Sequence, residues 1–165
     1  MNLEFRYKKA PNQAAGTRSL TDDLLDLGRD ILCSPGMAQT KQFAHHGHIS
    51  VYDHSLHVAR CSLRISRRLR LRTDERALVR GALLHDYYLY DWHIQDGSHR
   101  WHGFIHAKRA LRNAERDFSL NDIERDMIVT HMFPMNLRLP HYRESLILTV
   151  ADKLCSIQEI INGAL

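Results

Sequence analysis

Apolar residues recur along this chain at helical spacing, and the residues between those runs carry caps and stops. Thr21, with Asp22 and Asp23 behind it, caps a first helix whose apolar face is Leu24, Leu25, Leu27, Ile31 and Leu32; Ser34-Pro35-Gly36 ends it. Ser50 and Asp53 form a capping box opening a long second helix, with Val51, Leu56, Val58, Ala59, Leu63, Ile65 and Leu69 on its apolar side. Thr73 starts a third, through Ala77, Leu78, Ala82, Leu83 and Leu84, with His85-Asp86 near its C-terminal end. Tyr87 to Arg100 is aromatic and polar and reads as a loop. A fourth helix spans about Gly103 to Asp117. A fifth, capped by Ser119 or Asn121, ends near Phe133-Pro134, and a last one follows Pro140 from about Arg143 to Ile161. No stretch alternates over five residues between turn residues, so strands are not expected. The pattern predicts an all-α bundle of six or seven helices. Residues 1–18, polar and interrupted by Pro11 and Gly16, are expected to be poorly ordered, and 19–165 to form one domain.

Composition narrows this little. The 165 residues are 44% hydrophobic and 25% charged, ordinary for one folded domain with its own core. The net charge is +4, and the excess crowds between Arg60 and Arg80. That run is either a phosphate-binding surface or the solvated face of two helices. Its lack of glycine-aromatic interleaving argues against a nucleic-acid partner. Cys33, Cys61 and Cys155 form no CxxC pair and are odd in number, so a reducing cytoplasm is expected. Arg6, Lys8 and Lys9 lead into Pro11 rather than an apolar leader segment, and Leu146–Ala151 is far short of the roughly 20 residues that span a bilayer.

The informative chemistry is a series of His and Asp residues on helical segments: His54, His85, Asp86, His106, His131 and Asp152. One histidine on an apolar helix face is ordinarily a core or capping residue. Six such residues suggest a shared metal centre, because buried imidazoles and carboxylates are costly unless paired or coordinated. A carboxylate can bridge two cations, whereas an imidazole binds one. Asp86 is therefore the expected bridge: His54, His85, Asp86 and Asp152 hold one ion, and His106 and His131 complete a second. Metals ~3.5–4 Å apart can trap a water and present hydroxide to an electrophile. Nitrogen and oxygen ligation fits two divalent transition-metal ions, iron, manganese, nickel or zinc, and disfavours a sulfur-rich structural site. Of the other histidines, His45, His46 and His48 in HHGH read as a solvated turn around Gly47. His57, His93, His99 and His141 have no comparable context. His102 lies four residues before His106, a ligand or substrate-contact spacing.

The segments YDHSLHVA, LLHDYYLYD, FIHAKRAL, THMF and VADKLC, over about residues 50–158, resemble the HD-domain metal-dependent phosphohydrolases. The resemblance implies an α-helical fold, metals in a cleft between helices and hydrolysis of phosphate esters or nucleotides. The pair His106 and His131 is similar to the dinuclear subgroup, which includes bacterial proteins that hydrolyse diadenosine tetraphosphate. Many members carry a lysine three residues after the motif aspartate; here that position is Leu89. Lys153 and Arg109 are the candidates to supply the missing cation.

The expected activity is thus hydrolysis of a nucleotide, dinucleotide or other small anionic phosphate ester, with Asp86 and Lys153 as catalytic residues and Arg109 and His102 as substrate contacts. Tyr87, Tyr88, Tyr90 and Trp92 either stack on a nucleobase or plug the end of the core. Two alternatives remain: a di-iron oxygenase on the same scaffold, and a nucleotide-binding sensor with a degenerate site, for which a full ligand set has no use.

Overall fold

The computed structural model describes residues 18–46, 49–88 and 102–163. The order is α1 (Leu20–Leu27), α2 (Arg29–Leu32), α3 (Pro35–Gln39), a short 3-10 turn, β1 (Ala44–His46), β2 (Ile49–Ser50), α4 (Val51–Arg68), α5 (Glu75–Leu84), α6 (His102–Asp117), α7 (Asp122–Thr130) and α8 (Arg143–Gly163). The all-α expectation holds, with one addition: β1 and β2 pair as a small antiparallel ribbon. The expected poorly ordered N-terminal stretch lies, apart from Arg18, outside the described residues.

The N-terminal helix departs from expectation at its cap and in its middle. Ser19, not Thr21, caps it, in a reciprocal box with Asp22. Gly28 then splits it into α1 and α2. A Cβ at that position would lie 2.5 Å from the Leu83 side chain, so glycine lets the α1–α2 junction sit directly against α5. The helical run ends at Leu32, just before Ser34-Pro35 as expected, but the same residues also start a further helix: the Ser34 hydroxyl accepts from the Met37 amide, and Pro35 occupies a first-turn position. Later caps follow the same logic. Ser50 accepts from Asp53, Asp74 (where Thr73 was expected) from Ala77, and Asn121 forms a box with Glu124.

α4 and α5 are the centre of the packing, with α8 against α4, and α7 between α5 and α8. Val58, Leu63, Leu78, Leu83, Leu84, Met127, Ile128 and Leu148 fill the interior. Tyr87 and Tyr88 are buried as well, so they plug the core and are not a base-stacking platform. Tyr87 donates to Asp117 at 3.0 Å, and Asn113 donates to the Tyr87 carbonyl. Tyr90 and Trp92 lie outside the described residues.

The arginine-rich stretch proves to be mainly a solvated face. Arg60, Arg64, Arg68, Arg70, Arg72 and Arg76 are exposed, and Arg67 pairs with Asp23 and Glu75. Arg80 is the exception. It is buried and donates to Glu124 at 2.6 Å, to the Ser119 carbonyl at 2.9 Å and to Asp30, joining α5 to α2 and α7. No helix among the described residues is long and apolar enough to cross a membrane.

Candidate metal centre

Each of the six expected residues arrives at one place from a different structural position. Ser50 turns the chain into α4, and His54 follows one turn later, fully buried. α5 ends at Leu84, leaving His85 as its C-cap and Asp86 in the turn beyond. His106 lies on α6, His131 caps α7, and Asp152 lies midway along α8. The two C-capping histidines are held alike. His85 Nδ1 is 2.7 Å from the Ala82 carbonyl, and His131 Nδ1 is 2.8 Å from the Ile128 carbonyl. A carbonyl only accepts, so each Nδ1 carries the hydrogen and, in the neutral ring, each Nε2 presents a lone pair.

Those nitrogens face the carboxylates. Asp86 Oδ1 is 3.4 Å from His106 Nε2 and 3.5 Å from His131 Nε2, while Oδ2 is 3.5 Å from His85 Nε2. Asp152 Oδ1 is 3.2 Å from His54 Nε2 and 3.7 Å from His85 Nε2. His106 and His131 bring their Nε2 atoms to 2.8 Å of each other. The structure therefore brings together all six predicted residues, as a His54–His85–Asp152 group and an Asp86–His106–His131 group.

The electrostatics of this arrangement suit a cation. Burial pushes the His131 imidazole down to about 3, helped by neighbouring His106, so the ring is neutral. Its Nε2 lone pair lies 2.8 Å from His106 Nε2 and 3.5 Å from Asp86 Oδ1. Within the described residues, Asp86 Oδ1 and His85 Nε2 have no hydrogen-bond partner although both are buried. Such groups are costly to leave unmatched, and bound cations would satisfy them. Burial works against charge on Asp86, yet His85 and the hydrogen bond from His45 hold its carboxyl well below the usual carboxylate range; His54 and His85 do the same for Asp152. Burial also opposes charge on His54, but hydrogen bonds to Asp152 and Glu159 raise it to about 9, so a cation binding there displaces a proton.

The remaining expected residues are Lys153, Arg109 and His102. Lys153 is half-buried, its amine donates to the His131 carbonyl at 3.2 Å, and burial lowers its pKa. Arg109 is half-buried on α6, one turn beyond His106. His102 is the first residue of α6, and its side chain is outside the described set.

Sequence reasoning missed three residues. His45, expected in a solvated turn, is 8% exposed; its Nε2 is 3.0 Å from Asp86 Oδ2, and its ring stacks on His54 with centroids 3.7 Å apart. The hairpin fold of β1 and β2 is what turns it inward. Glu159, on α8, accepts from His54 Nδ1 at 2.9 Å and from His57 Nδ1 at 3.1 Å, which gives His57 the context it lacked. The pairing of Asp53, the residue before His54, with the Ser50 cap was the one sequence cue to how this corner is fixed.

No curated protein and no solved structure matches the chain significantly. The family model described as the HD domain matches residues 51–157, a span that holds His54, His85-Asp86, His106, His131 and Asp152. The chain therefore belongs to the HD-domain family.

Proposed function

We propose that the chain is a metal-dependent phosphohydrolase acting on a nucleotide, dinucleotide or other small phosphate ester. Its family consists largely of metal-dependent hydrolases that bind divalent metals, and the six clustered residues offer the donors. In this reading His54, His85, Asp152 and Asp86 hold one divalent transition-metal ion, and Asp86, His106 and His131 hold the other. The pair would supply Lewis-acid polarisation of a phosphoryl group and a water made acidic at neutral pH. The single observation that carries the proposal is that Asp86 Oδ1 and His85 Nε2 are buried with no hydrogen-bond partner among the described residues, beside the Nε2 atoms of His106 and His131, a set of donor atoms that a cation would satisfy.

The chain's own groups have separate tasks. Carbonyl contacts at Ala82 and Ile128 fix the His85 and His131 rings, so little reorganisation accompanies catalysis. Asp86 offers its two oxygens in different directions and keeps the halves of the centre in register. Lys153 is tied to the carbonyl of His131, which sets its ammonium beside the cluster as a counter-charge for phosphate. Arg109 and His102, each one turn from His106 on α6, are the proposed contacts for the rest of the substrate.

A panel of nucleotides, dinucleotides and small phosphomonoesters, assayed with Mn, Fe, Ni, Co and Zn, tests this. Turnover of anionic phosphate esters by metallated protein, reduced in Lys153→Ala at unchanged metal content, is the expected result. No turnover of any member, together with oxygen uptake by the ferrous protein, would replace the proposal with the oxygenase reading.

A further inference from the structure

His45 creates a third possible donor group, with His54 and Asp86, beside the two already described. Whether it adds a third cation or completes one of two follows from the chemistry of His54. Its Nδ1 is committed to Glu159 Oε2 at 2.9 Å, so only Nε2 remains. One imidazole nitrogen has one lone pair and serves one cation. The group containing His85 and Asp152 and the group containing His45 must therefore describe the same position. Asp86 divides along the same line. Its Oδ2 faces His45 at 3.0 Å and His85 at 3.5 Å, while its Oδ1 faces His106 at 3.4 Å and His131 at 3.5 Å.

Building on the metal reading above, we infer that His45 is a fifth protein ligand of the position formed by His54, His85, Asp152 and Asp86 Oδ2, delivered by the β1–β2 hairpin. The two positions are then chemically unequal. One is surrounded by three imidazoles and two carboxylates and has little room for an outside ligand. Among the described residues the other has Asp86 Oδ1, His106 and His131, fewer ligands, which leaves it the open coordination that a reacting water and a phosphoryl oxygen require. The hairpin also controls exchange: the closed ion cannot leave without moving β1. Stacking of the His45 ring on His54 at 3.7 Å holds it in place from the hairpin side.

The test uses cobalt(II) as the probe in the full chain. Binding through Nε2 leaves each ligand imidazole with an Nδ1 hydrogen whose proton resonance is strongly shifted by the paramagnetic ion. The wild-type protein with two cobalt equivalents should show five such exchangeable signals, from His45, His54, His85, His106 and His131. His45→Gln, which keeps a hydrogen-bond donor toward Asp86 but is a poor ligand, should lose one signal, alter the visible absorption of the tighter cobalt, and release it at least tenfold faster to a chelator. Four signals in the wild type overturn the assignment even if the variant does not fold. So does an unchanged spectrum and release rate in a folded His45→Gln protein, which leaves the two-metal reading intact. Absence of cobalt binding by the wild type overturns both.

Discussion

In the proposed centre both halves depend on Asp86, because its oxygens face different sets of imidazoles. Asp86→Ala removes a donor from each side and leaves four buried histidines without their shared counter-charge. We expect loss of at least one metal per chain and a fall in phosphohydrolase turnover of about a hundredfold or more, since even changes beyond the ligands cost 10–100-fold. Metal content measured alongside turnover checks this; two metals and near-normal turnover would refute the bridging role. Asp86 was legible in the sequence because it follows an apolar helical run, as were the lone His and Asp residues on other helices. His45 was not, because a three-residue strand is too short to show which way alternate side chains point. Glu159 was hidden for another reason. α8 is apolar on both sides, with Leu148 and Ala151 buried but Leu146, Val150, Leu154, Ile157, Ile160 and Ile161 about half exposed. A charge on such a helix gives no hint of facing inward.

Between elements, the α7–α8 junction shows how buried polar groups align the helices that carry His131 and Asp152. Asp126, on α7, accepts from Ser145 Oγ at 2.6 Å, from the His141 amide at 2.9 Å and from His141 Nδ1 at 2.7 Å. Burial alone would push its carboxyl up, but these hydrogen bonds hold it below the usual carboxylate range. A group depressed in the folded state contributes stability above its unfolded pKa and loses it as pH falls through the folded value. Asp126→Asn should therefore cost about 1 kcal/mol near pH 7, with the difference from wild type vanishing on the acid side. Urea unfolding of both proteins from pH 7 to pH 3 reads it; a gap that stays constant with pH would exclude the ionised carboxylate as its source. Helix existence was readable from apolar periodicity, whereas ends were less so. Thr21 and Ser19, or Thr73 and Asp74, all belong to the capping residue types, and the structure uses the stronger member of each pair. The Gly28 break depends on Leu83, which is remote in sequence.

Across the whole molecule, no single helix owns the site: α4, α5, α6, α7 and α8 each contribute, and the ribbon adds His45. A centre assembled this way does not exist in the unfolded chain, so a cation that binds it stabilises the fold by mass action, about 2.7 kcal/mol at a hundredfold excess over Kd. His54 and Asp152 are 98 residues apart, and a cation held by both joins the first turn of α4 to the middle of α8. That separation has a kinetic consequence. Bringing such distant residues together requires most of the bundle to be docked already, so the ligands converge after the rate-limiting step and not before it. Metal should then leave the refolding rate nearly unchanged and slow unfolding by almost the whole equilibrium gain, roughly a hundredfold at that excess. Stopped-flow refolding and unfolding with and without saturating metal separates the two limbs; faster refolding with metal would mean that the ligands meet early. A late-closing clasp of this kind would make the lifetime of the folded state, rather than its formation, the property that metal availability controls.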